Sequence, residues 1–138
     1  MSGTGLVSRG APAQGQLEDM ARCLASIKRD KQTVAFAANR ALMTYLAAVA
    51  ATHFGGDATL ALSGARDQAS THLRDLMVYL GNTKFSLTHK EAGAAMGQSR
   101  AAATRAIQRI EERREDGVFN WNLEQLEMLI DQILREAA

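Results

Sequence analysis

The sequence predicts an all-α fold, and three observations carry that prediction. Alanine, the strongest helix former, occurs 25 times in 138 residues. Proline, which removes a donor and breaks helices, occurs once, at Pro12. Aromatic residues reach only 5%, too few for the β-branched and aromatic strands of a sandwich or barrel. Apolar residues make up 46% of the chain and charged residues 22%, a balance that supports a packed core. The length suits one domain, with at most a helical appendage.

Taken in order, residues 1–16 carry Gly, Ser and Pro without a continuous apolar run and read as a disordered leader. Residues 17–54 read as a helical pair. In the first helix, Leu17 to about Arg29, Leu17, Met20, Leu24 and Ile27 recur at helical spacing, and Glu18 and Asp19 sit in the first turn. The second runs from about Gln32 to Phe54. Its stripe is Val34, Ala38, Ala41, Leu42, Tyr45, Leu46, Val49 and His53, and Gly55-Gly56 stops it. Cys23 excludes an internal disulfide and reads as a buried thiol. The richest apolar run, Ala41 to Ala51, is about half a bilayer span, so no membrane segment is expected.

Residues 55–116 form the predicted core. Asp57 caps a short turn through Leu62, and Ser63 to Arg66 is a break. A helix from about Asp67 to Leu80 places Ala69, Leu73, Leu76, Met77 and Leu80 on one face, with His72 on the outer side, and Gly81-Asn82 ends it. Thr88-His-Lys-Glu91 is a capping box: the threonine accepts from a backbone N–H three residues on, and the glutamate reaches back. A short helix follows to Met96, Gly97 stops it, and Ser99 caps a second helix running through Arg114. Two helices joined by a tight glycine-containing turn make a helix-turn-helix candidate. Residues 117–138 hold a last helix, about Asn122 to Glu136, with Asn122 and Gln125 as a capping pair. Its face of Leu123, Leu126, Leu129, Ile130, Ile133 and Leu134 either folds back on the core, burying Trp121, or docks a partner.

The second motif helix has two chemically distinct sides. Ala103, Ala106, Ile107 and Ile110 form its core stripe, and Ala101, Thr104, Arg105 and Gln108 lie opposite. Five arginines (100, 105, 109, 113, 114) lie on this helix. Glu111, Glu112 and Glu115 can pair with its C-terminal half, but no acid lies within four residues of Arg100 or Arg105. Small residues let a backbone approach a groove, arginine can take guanine bidentately, and threonine and glutamine can read bases or phosphates.

The segment from about Ala50 to Glu112 resembles the C-terminal DNA-binding domain of the replication initiator DnaA, of the Trp-repressor-like helix-turn-helix class. The resemblance rests on Leu62-Ser63 before a basic loop with Arg66, on Arg74-Asp-Leu-Met-Val-Tyr-Leu80, on Thr88-x-x-Glu91-Ala-Gly93-Ala-Ala-Met-Gly97, and on Arg105-Ala-Ile-Gln-Arg-Ile-Glu111. It implies that Arg66 enters the minor groove and that Thr88 and Lys90 meet phosphates. Ser99, Arg100 and Ala101 fall where the initiator has an aspartate-histidine-threonine run that reads bases. None of the three is retained, so the initiator's target sequence is not expected. The motif residues together assign Arg100, Thr104, Arg105 and Gln108 to the major groove, Thr88, Lys90 and Arg109 to phosphates, and Gln98 and Ser99 to the turn beside the DNA.

More loosely, the chain is similar to the DnaA-like N-terminal part of alphaproteobacterial activators of gene transfer agent clusters. That similarity implies a transcription activator working with a separate sigma-like partner. The expected partners are therefore double-stranded DNA, and a second copy of the chain or a sigma-like, RNA polymerase-associated protein. A cytoplasmic, nucleoid-associated location follows. A helical adaptor without DNA binding is the alternative. No GxxxxGK[ST] loop is present. His53, His72 and His89 have no i, i+4 spacing for a metal, so neither an enzyme nor a cofactor is expected.

Overall fold

The computed structural model describes residues 13–137, and residues 1–12, most of the expected leader, lie outside them. All regular structure among the described residues is helical: α1 Gln14–Phe54, α2 Ala58–Ser63, α3 Gln68–Phe85, α4 His89–Ala95, α5 Arg100–Arg113 and α6 Gly117–Ala137. The chain divides into two compact units at Ala35/Phe36.

The first unit is the N-terminal part of α1. It corrects three expectations. Gln14 to Gln16 are already helical rather than leader. The two expected helices are one, because Asp30-Lys31 supplies neither glycine nor proline and each residue there continues the turn at small cost. Cys23 is exposed rather than buried, since every described residue before Asn39 is exposed.

The second unit is built around α3. Between Leu73 and Gly81 only Arg74 escapes full burial, so this helix is covered on several sides at once. α2 and α5 pack on it, and α4 packs on both α3 and α5. The C-terminal part of α1 contributes Met43, Leu46, Ala47 and Ala50, each fully buried. The expected stripe there was rotated: Val34, Tyr45 and His53 are exposed, and only Leu42, Leu46 and Val49 of that set touch the core. Alanines on both sides of the helix left its core-facing side undecided in sequence. α1 is also long and apolar enough to cross a membrane by length and composition, with mean hydropathy 1.4 over an eighteen-residue window that is 22% buried. The helix reaches that length because it extends beyond the apolar run Ala41 to Ala51 in both directions.

The Asp57 cap forms as expected, and two further helix ends have clear local chemistry. Asp57 accepts from Leu60 N at 3.1 Å and caps α2, and Asp67 accepts from Ser70 N at 3.0 Å and caps α3. Gly64, with φ of +87°, closes α2 in the left-handed region that glycine tolerates. By contrast, Gly81-Asn82 does not end α3, which continues to Phe85. Gly81 is instead a place of close approach, where an added Cβ would lie 2.9 Å from Met43 Cε of α1.

α6 begins five residues earlier than expected, and its cap is Asp116, which accepts from Val118 N and Phe119 N at 2.9 and 3.0 Å. The helix folds back on the core through Phe119, Leu123, Leu126 and Ile130. Trp121 is not the buried anchor; it is 59% exposed, and Phe119 takes that place. Because α6 starts early, Asn122 is mid-helix, and its carbonyl accepts from His53 Nε2 at 2.8 Å.

Candidate functional site

The candidate site is the pair α4 and α5 with the turn between them. Thr88 Oγ1 accepts from Glu91 N at 3.1 Å, and Glu91 Oε1 accepts from Thr88 N at 2.9 Å, so both arms of the capping box form. Ser99 Oγ accepts from Ala102 N at 3.1 Å and starts α5. Gly97, at φ +68°, reverses the chain between them. Gly93 sets how closely the helices meet: a Cβ there would stand 2.9 Å from Ser99 O and 3.0 Å from Gln98 O, both backbone atoms. The expected core stripe of α5, Ala103, Ala106, Ile107 and Ile110, is buried throughout.

Two arginines outside the expected site tie the surrounding helices together, Arg40, which no sequence pattern marks, and Arg74 of the resemblance motif. Arg40 of α1 donates to Ala95 O at 2.9 Å and to Leu62 O at 3.1 Å. One guanidinium thus satisfies carbonyls at the C-terminal ends of both α4 and α2, where helices leave acceptors unpaired. Arg74 donates to Ala61 O at 3.1 Å and to Thr71 Oγ1 at 3.3 Å. The long-range partners are 13 to 55 residues away, beyond any local pattern.

The remaining arginines of α5 fall into two groups. Arg109 donates from Nε and Nη2 to the two oxygens of Asp75, both at 2.8 Å. Asp75 is nearly buried in α3, and its carboxylate holds the Arg109 proton more tightly than usual, through the hydrogen bonds first. Arg109, expected at phosphates, thus already has Nε and Nη2 engaged by α3. Arg114 donates to both oxygens of Glu127 at 2.9 and 3.2 Å, to Tyr79 Oη at 3.0 Å and to Asn120 Oδ1 at 2.6 Å. Arg113 lies over the Phe119 ring at 4.9 Å and donates to His72 Nδ1 at 3.2 Å. None of the three uses Glu111, Glu112 or Glu115 as an ion-pair partner.

His72 is half-buried against Phe54 and Phe119, not a surface residue. Burial, and then the Arg113 charge, lower its pKa, and Asp75 opposes them.

Arg100 and Arg105 form the other group, joined by Arg66 of the α2–α3 connection and Lys90 of α4. All four are exposed, and among the described residues none has an ion pair or a side-chain hydrogen bond. Thr88, His89, Lys90 and Arg100 line one open depression of about 460 Å³, so the starts of α4 and α5 do come together. His89, left out of the expected set, joins it through Thr104. Thr104 Oγ1 donates its one proton to Arg100 O at 3.1 Å, so His89 Nδ1 is the donor in the 2.7 Å contact with that hydroxyl. Its Nε2 is left for another partner.

Thr104 is thereby half-buried and held, while Arg105 and Gln108 stand exposed on the outer side of α5. Gln98 departs from expectation, since its Oε1 is buried and is not presented outward. Thr88 and Ser99 are exposed, but their side-chain oxygens already accept the helix-capping bonds. Arg66 sits in the α2–α3 connection, exposed, and does not line the depression.

Among the described residues, no three His, Cys, Asp or Glu side chains are grouped so as to hold a metal ion. No protein-family model, curated protein or solved structure matches the chain.

Proposed function

We propose that the second unit is a sequence-specific double-stranded DNA-binding module of the helix-turn-helix type, acting as a transcription regulator and not as an enzyme. One observation carries the reading. Every α5 arginine that can reach an internal partner has one, whereas Arg100 and Arg105, with Lys90 and Arg66, are exposed and unpaired among the described residues. Unpaired cations beside a helix N-terminus suit an anionic, groove-bearing ligand.

In this reading Arg105 and Gln108 meet base edges, Arg100 and Lys90 meet phosphates or bases at the groove wall, and His89 Nε2, an acceptor once Nδ1 carries the proton, is left for a donor group. Arg66 reaches an adjacent groove, as the resemblance to DnaA suggests. Arg109 and Gln98 support the scaffold. The similarity to gene transfer agent activators further suggests activation together with a sigma-like partner, with the protein located at the nucleoid.

The test is selection of bound fragments from randomised duplex DNA, with Arg100→Ala/Arg105→Ala as control. An enriched motif that the control loses supports direct base readout. Absence of binding even at low salt sinks the reading. It would favour the adaptor alternative instead, for which α6 offers exposed Val118, Trp121 and Met128.

A further inference from the structure

The first unit is a helix with no partner of its own. It continues a helix already nucleated in the second unit, but most helical stability in proteins comes from packing an apolar stripe, and this part has nothing of its own to pack on. The stripe is present. Leu17, Met20, Leu24, Ile27, Lys31 and Val34 follow one another at spacings of 3, 4, 3, 4 and 3. That is a heptad seam of period 3.5, with Leu17, Leu24 and Lys31 at a and Met20, Ile27 and Val34 at d. All five apolar members are exposed, Leu24 at 65% and Val34 at 68%. No residue of this unit belongs to the hydrophobic core.

We infer that residues 17–34 pair with the same segment of a second copy as an antiparallel two-stranded coiled coil. Two features select a second copy in that orientation. The first is Lys31. In a parallel pair, a positions face each other, and two ammonium groups would meet within the seam. In an antiparallel pair a faces d, so the layers become Leu17 with the partner's Val34, Met20 with the partner's Lys31, and Leu24 with the partner's Ile27. Lys31 then lies against a flexible thioether and extends its charged end to water.

The second feature is charge segregation along the axis. Residues 17–23 carry Glu18, Asp19 and Arg22, a net −1, and residues 28–34 carry Lys28, Arg29, Asp30 and Lys31, a net +2. Antiparallel pairing sets the acidic end of each helix beside the basic end of its partner; parallel pairing sets like on like. Arg22 and Arg29 both occupy the outward f position, and Arg22 is paired with Asp19 of its own helix, so the antiparallel alignment brings no like charges together in the seam. Asp30, at g, lies opposite the partner's Cys23, with no opposing charge. The outer surface stays polar, with Gln14 bonded to Glu18.

This inference stands independently of the DNA reading and is tested without DNA. The full chain, with Cys23→Ser to remove the native thiol, is weighed by light scattering at micromolar concentration. The expected mass is twice the 14.9 kDa of one chain. Leu24→Asp should return it to a single chain without altering the thermal transition of the second unit, whose core takes nothing from residues 17–34.

Orientation is read by oxidising Leu17→Cys and Val34→Cys variants. Mixed, they should cross-link to each other; alone, each should remain reduced, because in the antiparallel pair identical ends are about 25 Å apart along the axis. Single-chain mass for the parent overturns the inference. So does a dimer that survives Leu24→Asp, since it would use another surface. Self-cross-linking of Leu17→Cys alone overturns the antiparallel arrangement.

Discussion

Arg109→Ala separates two roles that one arginine on an exposed helix could have. The structure gives it the Asp75 carboxylate, gripped by two charge-assisted bonds of 2.8 Å. Removing the guanidinium leaves that carboxylate nearly buried and uncompensated. Breaking a fully buried pair costs about 3–5 kcal/mol. Here the Arg109 side chain is 50% exposed, so water can enter the vacated space and screen part of the loss, which lowers the expectation to about 2–3 kcal/mol. For a unit of about a hundred residues, each 1 kcal/mol shifts Tm by about 4–8 °C, so the transition should fall by about 10–20 °C. The assay is thermal and urea unfolding followed by circular dichroism. Asp75→Asn/Arg109→Ala should recover part of the loss, because the amide no longer buries a charge. A phosphate-binding Arg109 would behave differently: stability would hold, and the log K against log salt slope for DNA would drop by about 1. Unchanged unfolding with a reduced salt slope would refute the assignment.

The other predictions follow from the same packing. Gly93→Ala should destabilise by about 1–3 kcal/mol, since the new methyl meets backbone carbonyls that cannot yield, whereas Gly81→Ala meets the flexible end of Met43 and, at ordinary contact distance, the end of Leu87, and should cost less; paired melts would check the contrast. Arg40→Ala strips a charged donor from the ends of α2 and α4 and should cost about 2 kcal/mol, measured by urea midpoint at constant m. Because burial lowers the His72 pKa, the unfolded chain binds more protons as pH falls below about 6.5. Stability should therefore decline on acidification from that point to below the folded pKa, and His72→Phe should flatten this part of the stability–pH curve; identical curves would remove His72 as the cause. In DNA titrations, Arg105→Ala should cost about 1–3 kcal/mol on the preferred sequence and relax selectivity, while Lys90→Ala should weaken all sequences alike. Equal losses from both on every sequence would contradict that division.

Helix content, the α2 cap, the capping box, Ser99 and the core stripe of α5 were all legible in the sequence because each is a short-range matter. A cap needs a side chain and an N–H three residues away, and a stripe needs only period 3.6. Legibility failed where neighbours distant in sequence decide. The core side of α1 depends on where α3 lies, and alanine on both faces gives no local hint. Gly81 looks like a stop until Met43 explains it as a close approach. Asp116 outcompetes Asn122 as a cap because Gly117 tolerates a helical first turn, and the aromatic cluster of Phe54, His72 and Phe119 rewards extending α6 toward it.

The arginines show the limit most directly. By local spacing, Glu111, Glu112 and Glu115 are the acids offered to the C-terminal half of α5, and Glu112, three residues on, is the partner for Arg109. In the folded chain, Arg109 and Arg114 reach across 34 and 13 residues to Asp75 and Glu127. Both acceptors are more shielded than any of the local glutamates. A shielded carboxylate attracts a guanidinium more strongly than one already solvated, because less water competes for it. Burial therefore sorts the arginines of one helix into those that hold the fold and those left for a ligand. That sorting ties Arg109 to Asp75, brings His89 beside the candidate site through Thr104, and leaves Arg100 and Arg105 as the residues on which the proposed function depends.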